Sequence, residues 1–196
     1  SYNTKLVSPA EAPRSYEDLL NPKWKGKIAL NRDDVKWFIA MLQQMGEEKG
    51  LNYMRRLMQQ GLTIYGIGHS QMANLLAAKE FAVGVCIFPD QVEVLKSKGA
   101  PMDWVRTNPI LVLPSLISIT RNPPHPNAAK LFIDYALSEE GQRSVVASGL
   151  RKEATIPRAS EKTTTEGIKL LEKLNLFPLN PALAERYEYY DKLWQN

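Results

Sequence analysis

PILVLPSLISITRNPPHPNAAKLFIDYALSEEG, Pro109 to Gly141, holds the change of structure on which the fold turns. Ile110 to Thr120 contains seven Val, Leu or Ile residues, interrupted by Pro114 and Ser115, and reads as a buried strand. Asn122, Pro123, Pro124 and Pro126 forbid a continuing ladder or helix. Pro126 suits the first helical position, where a missing N–H costs nothing. Ala129, Phe132, Ile133 and Ala136 recur at helical spacing and predict a helix over Asn127 to Leu137. Ser138 caps the next turn, with Glu139 and Glu140 where a helix dipole favours anions.

Working outward, Tyr2 to Val7 alternates like a strand that Pro9 and Pro13 end. Ser15, with Asp18 three residues on, opens a helical turn over Tyr16 to Leu20 that Asn21-Pro22 stops. Lys27 to Leu30 is a strand after Gly26. A helix is expected from Asp34 to Met45, with Trp37, Phe38, Met41, Leu42 and Met45 as its stripe and Asp33 or Asp34 as N-cap. Glu47 to Gln60 is a second helix, its apolar face Leu51, Met54, Leu57 and Met58, stopped by Gly61. Leu62 to Tyr65 is a strand, and Gly66 to Ser70 turn into a helix over Gln71 to Lys79. Phe81 to Phe88 reads as an apolar strand, Gln91 to Ser97 as a helix ending at Gly99, and Met102 to Arg106 as a short strand. Arg151 to Thr165 reads as loop, Glu166 to Leu174 as helix and Phe177 to Pro181 as a turn. A last helix, Ala182 to Trp194, has Leu183, Arg186, Tyr187, Tyr190 and Trp194 as its inner face. Strands alternating with helices from Ile28 onward imply an α/β sheet with right-handed crossovers.

In such sheets ligands sit outside the carboxyl ends of the strands. Three ends are visible, and all can lie on one edge of one sheet. The first carries Asn31, Arg32 and Asp33, with Trp37 one turn into the helix. Arg32 suits an anion, Asp33 a cation or amine, and Trp37 a stacked ligand or the core. The second carries Gly68, His69 and Ser70. Glycines admit a close ligand, and free N–H groups beside a hydroxyl suit a phosphate or carboxylate. A plain helix cap is the competing reading. The third carries Phe88, Pro89, Asp90 and Gln91, where Asp90 is either a ligand group or a cap.

The run HPNAAKLFIDYALSEEGQ, His125 to Gln142, resembles a motif of type 2 periplasmic solute-binding proteins, the ferric-ion and small-anion branch that feeds ABC importers. YNTKLV, Tyr2 to Val7, resembles their first crossing strand between lobes. SYEDLLNPKWKGKIAL, Ser15 to Leu30, resembles the opening of their second lobe. The resemblance implies a periplasmic-binding-protein type 2 lobe, a mixed α/β sheet flanked by helices, with crossing hinge strands. It implies residues 1–8 as the first crossing strand and 9–114 as the second lobe. Residues 115–150 become the second crossing strand and the helices returning to lobe one, and 151–196 a loop and C-terminal helices. Most of lobe one, which relatives carry ahead of the first crossing strand, is expected to be missing. An incomplete helix surface then favours self-association. Ferric relatives show adjacent tyrosines where this chain reads Cys86-Ile87-Phe88-Pro89-Asp90-Gln91. That departure speaks against iron and makes Phe88 an apolar wall. Tyr189-Tyr190, in the last helix, reads as structural.

The resemblance therefore implies the substrate-binding component of a bacterial ABC importer, periplasmic or extracellular. Its partners would be a small solute or ion and a membrane permease, and it would catalyse nothing. Composition agrees. With 44% hydrophobic and 23% charged residues the chain is ordinary for a globular protein. The net charge of +4 is spread among acids, so nucleic acid is not an expected partner. No apolar stretch reaches the ~18 residues of a membrane span. SYNTKLV is not a signal peptide, and a mature or trimmed product is expected. Cys86 is the only cysteine and reads as a core thiol. With two histidines, zinc-enzyme constellations are nearly excluded, and no metal or other cofactor is expected. There is no nucleophile elbow, phosphate-binding P-loop or paired-histidine zinc motif. Two alternatives stand. One is a small α/β enzyme acting on a phosphorylated substrate through Gly68-His69-Ser70. The other is an interaction domain that docks a partner through Tyr187, Tyr190 and Trp194.

Overall fold

A computed structural model describes residues 1–112, 117–147 and 175–195. It divides into two compact units, Ser1–Leu113 with Asn175–Asn196, and Pro114–Leu174. The first unit is built on a five-stranded mixed sheet in the order β3-β2-β4-β1-β5. Its strands are β1 (Tyr2–Asn3), β2 (Ile28–Asn31), β3 (Thr63–Tyr65), β4 (Val83–Gly84) and β5 (Met102–Asp103). β2 pairs parallel with both β3 and β4, and β1 runs antiparallel to β4 and β5. The expected mixed α/β sheet is what the chain forms.

Side-chain alternation places a core on each face of the sheet. Ile28 and Leu30 point into one cluster with helices α1 (Val35–Met45) and α2 (Glu47–Met58). Ala29 points into the other, with α3 (His69–Ala77) and α4 (Pro89–Ser97). Parallel strands covered on both faces favour apolar runs, and β2 is buried throughout, with Ile28, Ala29 and Leu30 apolar. A second, two-stranded parallel sheet joins β6 (Ile110–Val112) to β7 (Leu176–Pro178). A 3-10 segment, Pro181–Arg186, then leads into the last helix, Tyr187–Gln195. That helix buries Tyr190 and lays Trp194 5.2 Å from the ring of Phe38.

In the second unit, α5 (Pro126–Ala136) starts with Pro126 in the first turn, as read, and α6 (Glu139–Ala147) follows. Ser138 Oγ accepts the Gly141 N–H at 3.1 Å, the cap the sequence predicts. No residue of α5 is buried. Leu131 is 71% and Phe132 63% exposed, although Phe132 lies on the face read as inward.

Several boundaries differ from expectation. β1 stops at Asn3 because the Asn3 side chain accepts the Lys5 N–H and its carbonyl accepts those of Leu6 and Val7, bending the chain into a turn. β4 is two residues long, because Cys86 adopts a positive φ of 61° and turns the chain where a longer strand was read. Ser15 and Asp18 form the expected reciprocal cap, but Asn21-Pro22 starts a further 3-10 turn, with Asn21 accepting from Lys23. Met58 is exposed and Tyr53 takes its place on the buried face of α2. Among the described residues of the strand read over Ile110 to Thr120, β6 is strand and Ile117 and Ile119 are exposed; residues 113–116 lie outside the described residues. The expected turn at Phe177 is strand β7, held by its pairing with β6. Tyr187 is exposed rather than inward. The loop read over Arg151 to Thr165 and the helix over Glu166 to Leu174 lie outside the described residues.

Candidate functional site

β3, β2 and β4 are adjacent and parallel, so their carboxyl ends share one side of the sheet. Each strand feeds a helix there. α1 follows β2, α3 follows β3 and α4 follows β4. Three helix N-termini therefore open at the three strand ends read from the sequence, each with backbone N–H groups that lack a partner within the helix.

The loop after β2 is strapped to the loop after β3. Asn31, at the end of β2, is buried; its Nδ2 donates to the Ile67 carbonyl at 2.5 Å and its Oδ1 accepts the Asp33 N–H at 3.2 Å. The Arg32 N–H donates to the Tyr65 carbonyl at 2.7 Å. Arg32 and Asp33 are exposed, and among the described residues Arg32 forms no ion pair. Its guanidinium lies by Gly66, where an added Cβ would come within 3.8 Å of Cζ. Trp37 is buried between Tyr16, at 5.9 Å, and Trp194, at 6.3 Å, so its ring supports the loop from within the core.

The second strand end differs from the reading in detail. α3 begins at His69 with Gly68 as its N-cap, two residues early, and Ser70 is an exposed first-turn residue that does not cap it. His69 reaches across to the first loop, its Nε2 2.8 Å from Asp34 Oδ1. On another side its ring stands 4.6 Å from that of Phe88, tilted by 39°. Phe88 is the N-cap of α4, which starts at Pro89, and Asp90 is a half-buried residue of its first turn. Residues from all three strand ends thus meet in one cluster: Asp34, His69 and Phe88.

Asp34 was legible only as a cap for α1, and it makes no cap hydrogen bond. It is 6% exposed, and its Oδ2 is buried without a hydrogen-bond partner among the described residues. The hydrogen bond to Asp34 raises the pKa of His69 above its ordinary 6.5, against the opposing effect of burial. Cys86 is half-buried rather than fully enclosed. Burial first, and then the Asp34 charge, push its thiol well above the usual range, so it is a weak nucleophile. Tyr190 is buried and Tyr189 is held by Glu47 through its hydroxyl, as suits structural roles in the last helix.

A sheet whose parallel strands end together beside helix N-termini offers a ligand site of the kind open α/β sheets use. Residues 1–189 match the sequence profile of the bacterial extracellular solute-binding proteins, and the chain belongs to that family. The fold matches solved periplasmic binding proteins. AfuA from Actinobacillus pleuropneumoniae, solved with fructose-6-phosphate, is 23% identical at a TM-score of 0.75, over 98% of this chain and 63% of its own. Iron-bound HitA from Pseudomonas aeruginosa is 18% identical at a TM-score of 0.70, over 100% and 65%. The substrate-binding protein of an ABC transporter from Agrobacterium tumefaciens is 13% identical at 0.70, over 100% and 64%. The chain spans a little under two thirds of the length of these structures. No curated protein matches it. Family and fold are those of the type 2 periplasmic binding proteins, and place the chain in the periplasmic or extracellular compartment of bacteria.

Proposed function

We propose that the chain is part of the solute-capturing component of a bacterial ABC importer, and that its three strand ends take the anionic end of a small solute, a phosphate or a carboxylate. The observation that carries this is the convergence of three helix N-termini beside Arg32 and His69. Gly68, Ser70 and Asp33 would line the same place, with Phe88 as an apolar wall. The sugar phosphate in AfuA accords with such a ligand. Residues 1–8 and 115–150 would be the segments crossing between lobes, 9–114 the second lobe, and a membrane permease the partner that reads the closed form. The exposed Leu131 and Phe132 on α5 favour self-association of this chain.

Calorimetry with sugar phosphates, inorganic phosphate and ferric salt tests the reading. Sugar phosphate is expected to bind without turnover. Ser70→Ala is expected to weaken it by roughly 1 kcal/mol, the scale of a lost hydrogen bond to a charged group. An unchanged affinity in Ser70→Ala removes that hydroxyl from the site. A phenolate charge-transfer band at stoichiometric iron would replace the anion reading with a ferric one, and turnover would replace it with an enzyme.

A further inference from the structure

One charge at the carboxyl end of the sheet is left unexplained by an anion site. Asp34 is a buried carboxylate placed where three helix N-termini open, yet it caps none of them through its side chain. One oxygen meets His69; the other accepts no hydrogen bond of good geometry among the described residues and has the weakly acidic Cys86 thiol near it. Burying a carboxylate so poorly matched is costly unless a cation accompanies it. Among the described residues the one ion-pair partner Asp34 has is His69.

We propose that Asp34 is a positioning residue of the solute site: it holds the His69 imidazolium against Phe88 and so presents the ring's other N–H to an anionic oxygen of the solute. This rests on the anion reading above. Once Nε2–H is given to Asp34, the Nδ1–H of the imidazolium points away from that carboxylate, and no described residue bonds to it. The Phe88 ring closes one side and favours the cationic form. The other groups around the pair set its charge. Asp33, on the same loop, adds a smaller push in the same direction as Asp34. Cys86 and Tyr16 both feel Asp34, but burial raises each of them, so they stay neutral and leave His69 as the compensating cation.

A pH dependence follows. The folded-state value of His69 lies above 6.5, so its charge is present below that value and is lost as pH rises through the raised one. Anion affinity falls in the same window. With Asp34→Asn the fall moves to lower pH.

The test is an NMR titration of the 196-residue chain, whose two histidines give two sets of ring signals. His69→Gln assigns them. The His69 midpoint is expected above 6.5 and is expected to drop in Asp34→Asn. Inorganic phosphate is expected to shift the His69 signal strongly in the wild type and weakly in Asp34→Asn. A His69 midpoint unmoved by Asp34→Asn overturns the proposal, and so does a phosphate response that this variant leaves intact. Should Asp34→Asn not fold, the wild-type midpoint decides, and a value at or below 6.5 overturns the proposal. A midpoint coupled to Asp34 with no phosphate response in the wild type would instead sink the anion reading, which separates the two failures.

Discussion

Asn31 is a short side chain that fixes two loops at once. Its amide donates to the Ile67 carbonyl and accepts the Asp33 N–H, with 1% of its surface exposed. Asn31→Ala would leave both backbone groups unmatched, at about 1–3 kcal/mol. Urea denaturation is expected to register that loss, and a change within ~0.5 kcal/mol, the range of an inert surface site, would show that water replaces the strap. The sequence marks Asn31 only by its place at a strand end. Which carbonyl it reaches is decided by β2 and β3 pairing in register, Asn31 opposite Tyr65.

Helices α1 and α2 pack closely because Gly50 lets them. A Cβ there would stand 2.6 Å from Leu42 Cδ2 and 3.0 Å from Leu42 Cα. Gly50→Ala gains about 1 kcal/mol of helix propensity. It also overpacks the crossing, which costs roughly 1–3 kcal/mol. The side-chain contact can relax by rotation, but the contact with the Leu42 backbone cannot, so the variant is expected to have a lower denaturation midpoint. A higher midpoint would mean that the helices separate at little cost. Both helices were legible from their 3.6-residue periodicity. The role of Gly50 was not, since it depends on which helix lies against it. The strands are shorter than their apolar runs for a related reason. Apolar runs such as Phe81 to Phe88 look like strands locally, but their ends are set by pairing and by the turn at Cys86.

At the scale of the molecule, the outer face of α5 stands out. Leu131, Phe132 and Tyr135 are exposed on a helix with no buried residue, in a chain that spans 63% of AfuA. Light scattering is expected to find more than one chain per particle, and the double change Leu131→Ser with Phe132→Ser to shift the population toward monomer. A wild-type monomer at high concentration would show that this face is tolerated in water.

The sequence by itself determined the alternation of strands and helices, the three strand ends and the helix starts near them, because these depend on periodicity, proline and capping within a few residues. It also carried the family, through motifs at Tyr2 to Val7, Ser15 to Leu30 and His125 to Gln142. Only the tertiary structure brought Asp34, His69 and Phe88 together, residues from three separate loops. Asp34 reads as a cap in isolation. It becomes the partner of a histidine 35 residues away because parallel pairing sets β2 beside β3, and no local pattern encodes which loops a sheet will place side by side.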